Sequence, residues 1–220
     1  MAEATGLGPV KKELIMHDIQ NIFCTPVYMT RRDISLSPSE IGEIEDIIKE
    51  GMHDSISNSN SDNSYIFNTK LKKIKEFCEE HIKIYVKEII SPEEELDFYI
   101  TQSWLNITEP GESHHSHWHP NSILSGVFYV SSVEDDKIQF YDPNLIVKER
   151  ISFKIREYNL WNSGSWTFSV INNVLVLFPS WLKHSVEPNE KATKDRISLS
   201  FNTFAKGNFG KVEELTELIL

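Results

Sequence analysis

Apolar and polar positions fall into two regimes along the chain. Between residues 35 and 90 the apolar residues recur every three or four positions. Ile41, Ile44, Ile47 and Ile48 follow Ser37-Pro38-Ser39-Glu40, a capping box with proline at the first helical position, which predicts a helix. Leu71, Ile74, Phe77, Cys78, Ile82, Tyr85, Val86 and Ile89 form one stripe over 69–90 and predict a second. From Phe98 to Phe204 that period gives way to short β-branched and aromatic runs separated by Gly, Pro, Asn and Asp. These predict strands at 98–108, 123–131, 137–142, 145–155, 165–170, 173–178, 184–187 and 195–204. An earlier strand is expected over 21–30, bent by Pro26, and a short helix over 212–220. Residues 55–64 are polar and low in complexity and read as a mobile loop; residues 1–20 read as a loose tail. Eight strands after two helices predict a mainly β, α+β fold, a closed or sandwiched β-barrel braced by two N-terminal helices. Two helices alone make a poor core, so residues 21–220 are expected to form one domain, with helical support over 35–90 and the β core over 95–205.

Composition narrows the partners. The 220 residues carry a formal charge of −11, which disfavours binding to a phosphate backbone, since that needs clustered Lys and Arg. No run approaches the roughly 20 apolar residues of a membrane span, and the N-terminus lacks the apolar centre of a signal peptide. A cytoplasmic protein is expected, with neither nucleic acid nor membrane as partner. Cys24 and Cys78 have no motif spacing and read as reduced.

The strongest chemical signal is His114-His115-Ser116-His117-Trp118-His119-Pro120, which holds half of the eight histidines. His115, His117 and His119 alternate, so an extended segment would project them from one face. Imidazoles so placed can hold iron, zinc, copper or nickel, or remain a solvated polar tract. The apolar run Val174–Pro179 leads into His184, a ligand type just beyond a strand end. Arg196 shares a strand face with Ser198 and Ser200. Facing a barrel interior, it must meet an anion or an internal carboxylate; the alternative is a polar stripe on an edge strand.

Several motifs occur together in order: Ser103-Trp104-Leu105-Asn106, His117-x-His119-Pro120, Ser125-Gly126-Val127-Phe128-Tyr129-Val130, Ile138-x-Phe140-x-Asp142-Pro143, Phe178-Pro179-Ser180-Trp181-x-x-His184-Ser185-Val186 and Arg196-Ile197-Ser198. Over residues 21–204 this pattern resembles the 2-oxoglutarate and iron(II)-dependent oxygenases related to prolyl hydroxylases, and its spacing is similar to the wider cupin group. The resemblance implies a double-stranded β-helix (jelly roll) with Fe(II) between its sheets, 2-oxoglutarate as cosubstrate with O2, and hydroxylation of an unactivated C–H bond. The substrate would be a small molecule or a peptidyl or free amino acid; oligomerisation is left open.

Carried over, His117 and His184 are implied as iron ligands. Most relatives place Asp or Glu where this chain has His119, so the third ligand is His119, Asp142 or solvent, with His119 preferred. Arg196 and Ser198 are implied to meet the distal carboxylate of 2-oxoglutarate, Tyr129 to bond the same group, and Asn106 to donate to its other carboxylate or cap a turn. Trp118, Trp181 and Asp142 are candidate substrate-pocket residues, and the loop 55–64 and segment 145–164 are candidate lids. Two rival readings are a cupin-like three-histidine metalloenzyme that does not use 2-oxoglutarate, and a non-catalytic metal-binding β-sandwich.

Overall fold

The computed structural model describes residues 19–145 and 151–220. Strand β1 (Tyr28–Arg31) precedes helix α1 (Pro38–Glu50). There follow β2 (Met52–Asp54), β3 (Ser59–Ser61), helix α2 (Lys72–Tyr85), β4 (Asp97–Thr108), β5 (His114–His117), β6 (Leu124–Ser131) and β7 (Lys137–Tyr141). The chain continues through β8 (Ser165–Ser169), β9 (Val174–Pro179), β10 (His184–Val186), β11 (Arg196–Lys206), β12 (Asn208–Phe209) and β13 (Leu218–Ile219). A seven-stranded sheet of order β1-β9-β6-β11-β4-β3-β2 faces a four-stranded sheet of order β5-β10-β7-β8, and every named strand pair is antiparallel.

The alternation of β11 explains how one sheet serves two layers. Leu199 and Phe201 face the helices and pack in a core with Ile44 and Ile47 of α1 and Ile74, Cys78, Ile82 and Tyr85 of α2. Arg196, Ser198 and Ser200 face the opposite way, into the space between the sheets. There a second core gathers Tyr129, Ile138, Phe140, Val176 and Phe178. Phe201 packs against Gly126 of β6, where any Cβ would lie 2.2 Å from the Phe201 Cζ; only glycine leaves that room.

The capping box at Ser37 forms as predicted, with Ser37 and Glu40 bonding each other's backbone N–H groups. Helix α2 is shorter than its apolar stripe, because the last turn, Val86–Ile90, widens into π geometry. The strand expected over 21–30 begins only at Tyr28. The segment 55–64 is not an unstructured loop: β2 and β3 form a hairpin that extends the large sheet along β4. Its polar side chains complete backbone bonding, as where Leu105 N–H donates to Ser61 Oγ at 3.0 Å. The expected C-terminal helix is a small hairpin instead, β12 with β13. Gly210 at φ 72° turns the chain back, and Lys211 N–H donates to Thr216 Oγ1. Of the expected strand 145–155, residues 146–150 lie outside the described residues and 151–155 are not in a strand; the proposed lid 145–164 is likewise only partly described. Among the described residues no helix is long and apolar enough to cross a membrane.

Candidate metal and cosubstrate site

Three short segments bring the histidines together. In the small sheet His117 of β5 stands opposite His184 of β10, and His184 opposite Phe140 of β7. His119 lies just past β5, where its N–H donates to Ser180 O at 2.9 Å while Ser180 N–H donates to Ile123 O. The Ser180 hydroxyl, fully buried, bonds those of Ser122 and Ser125 at 2.7 and 2.8 Å, which fixes the turn leading to His184. One ligand atom from each of His117, His119 and His184 then lies within 4.8 Å of the others.

The tautomers follow from the neighbours. His184 Nδ1 lies 3.0 Å from Leu182 O, and His117 Nδ1 lies 2.7 Å from His115 O. A carbonyl only accepts, so both Nδ1 atoms carry the proton and both Nε2 atoms keep their lone pairs, as a metal requires. His119 Nε2 and His184 Nε2 approach to 3.4 Å. Burial and the neighbouring imidazoles push His119 down to about 3, and burial and His117 push His184 down to about 4. Burial also holds His117 below the usual histidine value. All three are neutral at pH 7, and a divalent cation of the kind imidazole favours fits among them without displacing protons.

Alternation predicts that His115 shares the face of His117, and the structure corrects this. Between His184 and Val186 the register slips, so that three residues of β5 match two of β10 and His114 stands opposite Val186. This β-bulge turns His114 toward the cavity and leaves His115 exposed.

The other side of the cavity is polar. On the large sheet Arg196 pairs with Thr108, Ser198 with Asn106 and Tyr129, and Ser200 with Trp104 and Val127. Asn106 Nδ2 donates to Ser200 Oγ at 2.9 Å and to Ser198 Oγ at 3.4 Å, and Asn106 Oδ1 accepts from Trp104 Nε1 at 3.0 Å. Tyr129 is buried, and burial raises its hydroxyl above the usual tyrosine value. Arg196 Nη1 donates to Asp136 Oδ1 at 2.7 Å, and both residues are buried, at 6% and 3% exposure. Among the described residues Asp136 is the one hydrogen-bond partner of that guanidinium, so its remaining N–H groups are available to the cavity it lines.

His114, His117, His119, His184, Asn106, Tyr129, Arg196 and Ser198 thus line one cavity between the sheets. Asp142, Trp118 and Trp181 do not. Asp142 ends β7 as a turn residue whose Oδ1 accepts Asn144 N–H, and it is outside the group that could hold a metal. Trp118 and Trp181 flank His117, His119 and His184 in sequence but stand 59% and 56% exposed. Sequence reasoning missed His114 as a cavity residue and Asp136 altogether; no pattern announces a bulge, and Asp135-Asp136 reads as an ordinary turn.

No curated protein matches the chain in sequence. Its architecture is similar to that of solved structures. An oxidoreductase of the 2OG-Fe(II) oxygenase family from Burkholderia pseudomallei has a TM-score of 0.55 at 9% identity, covering 80% of this chain and 83% of that one. The alpha-ketoglutarate dependent carbocyclase SnoK from nogalamycin biosynthesis scores 0.54 at 12% identity, covering 83% and 81%. HygX from Streptomyces hygroscopicus, crystallised with nickel, 2-oxoglutarate and hygromycin B, scores 0.52 at 9% identity, covering 81% and 82%. These likenesses establish the double-stranded β-helix. Residues 102–202 match the family model described as "Putative 2OG-Fe(II) oxygenase", a span that contains every cavity residue named above. Over that span the chain is similar to the 2-oxoglutarate and iron(II)-dependent oxygenases, dioxygenases whose cofactors are Fe(II) and 2-oxoglutarate, and the three converging histidines fit such a metal.

Proposed function

We propose that this oxygenase hydroxylates an unactivated C–H bond of a small molecule or an amino-acid side chain, free or peptidyl, with His117, His119 and His184 as the iron ligands. One observation carries the reading: three neutral imidazoles converge in a cavity that also contains a buried guanidinium with free donors. Bound iron(II), with 2-oxoglutarate, supplies the oxidative chemistry, decarboxylation of the 2-oxo acid coupled to transfer of one oxygen atom to carbon. The protein's part is to bind and orient. His117 and His184 are pre-set by their carbonyl partners. Phe178 and Phe140, with ring centroids 4.6 and 6.1 Å from that of His184, keep water from one flank of the site. Arg196 meets the distal carboxylate of 2-oxoglutarate, with Ser198 and Tyr129 beside it; Asn106, already bonded to Ser200 and Trp104, shapes the wall.

The test is anaerobic titration of the iron(II)-loaded protein with 2-oxoglutarate, following the visible charge-transfer band of the chelate. The band is expected in the wild type, is lost with iron binding in His184→Ala, and needs at least about tenfold more 2-oxoglutarate in Arg196→Ala, the scale of a charge-assisted hydrogen bond. Iron bound with no band would overturn the reading.

A further inference from the structure

The β5–β10 bulge achieves something the metal set does not require. It brings His114 to the cavity wall beside His117, with the two rings stacked at 4.5 Å and 18°. His114 nevertheless lies outside the converging group of three. Across the same cavity the wall is formed by Arg196 and Ser198. A neutral imidazole offers one N–H and one lone pair, and neither has a hydrogen-bond partner among the described residues. The ring is half-buried, and an apolar side chain would fill the position without leaving a donor unpaired. Bulges next to sites commonly serve to re-aim a side chain.

We propose that His114 is a specificity-determining residue of the cosubstrate seat: its ring N–H donates to the carboxylate that Arg196 meets, so the pair selects a 2-oxo diacid over a 2-oxo monoacid. The proposal rests on the role of Arg196 given above. It is tested by anaerobic calorimetry of the iron(II)-loaded protein with 2-oxoglutarate and with pyruvate, which keeps the chelating 2-oxo acid and lacks the distal carboxylate. His114→Leu is expected to lose about tenfold in affinity for 2-oxoglutarate and nothing for pyruvate, the scale of one hydrogen bond to a charged group; His114→Gln, which keeps a donor, recovers most of the loss. An equal loss for both ligands, or weakened iron binding, makes the ring a prop for His117 and overturns the proposal. A measurement without substitution guards against misfolded variants. In the zinc-loaded wild type the His114 ring 15N–H resonance should shift with 2-oxoglutarate and not with pyruvate, and identical responses would overturn the proposal. A wild type that binds no 2-oxoglutarate at all is a different result: it removes the reading of Arg196 and takes this proposal with it.

Discussion

At the scale of single residues, Arg196 unites two readings that the sequence holds apart. It has an internal carboxylate partner and still faces the cavity. Asp136 balances its charge, so that wall of the cavity offers N–H donors and little net positive charge. Removing one member of a buried pair strands the other's charge, at about 3–5 kcal/mol. Asp136→Ala is therefore expected to lower the unfolding free energy from urea denaturation by that order, and an unchanged value would mean the pair contributes nothing to folding. The convergence of His117, His119 and His184 was legible because residue types able to bind a metal clustered at short intervals and beyond a strand end. Asp136 was not, because its partner lies 60 residues away and nothing local distinguishes it from its neighbour Asp135. Asp142 illustrates the converse. A carboxylate near the histidine cluster in sequence attracts attention as a metal ligand, yet before Pro143 its physics is that of a turn.

At the scale of elements, helix α1 is tied to the large sheet by one ion pair, Arg32 Nη2 to Glu40 Oε1 at 2.8 Å. Burial raises the Glu40 carboxyl, but the Ser37 N–H, the Arg32 guanidinium and the Ser37 hydroxyl together outweigh it, and the net shift is downward from 4.5. A carboxyl depressed in the folded state adds stability above its unfolded value, and that stability is lost as pH falls through the folded value. Glu40→Gln keeps a side chain suited to the capping box and removes the ion pair. The variant should melt below the wild type at pH 7, with the gap closing as pH falls below about 4.5; a gap that stays constant with pH would assign it to packing. Elements with a strong period or a cap were legible, α1 above all. The β2–β3 hairpin was not: its side chains are serine, asparagine and aspartate, and its order comes from pairing with β4 across more than 40 residues of chain. The His114–His117 strand was legible as an extended segment but not as a bulged one, because the slip is imposed by β10.

At the scale of the whole molecule, the β core and its helical brace followed from the change of period near residue 95, whereas the layering did not. Whether a strand residue meets the helices or the cavity between the sheets depends on partner strands distant in sequence. Strand β11 makes the consequence plain. It is paired on both edges, with β4 and with β6, and a core or the cavity wall covers each face. No partial opening frees its amides, so they should exchange hydrogen with solvent only through global unfolding. Native-state exchange at Leu199, Ser200 and Phe201 is then a clock for the whole domain, and an exchange rate faster than that of α2 would refute this. The same clock should slow when metal and cosubstrate bind, by the factor that binding to the folded state alone supplies. Ligand occupancy of the cavity can thus be timed at Leu199 and Phe201, whose side chains face away from it.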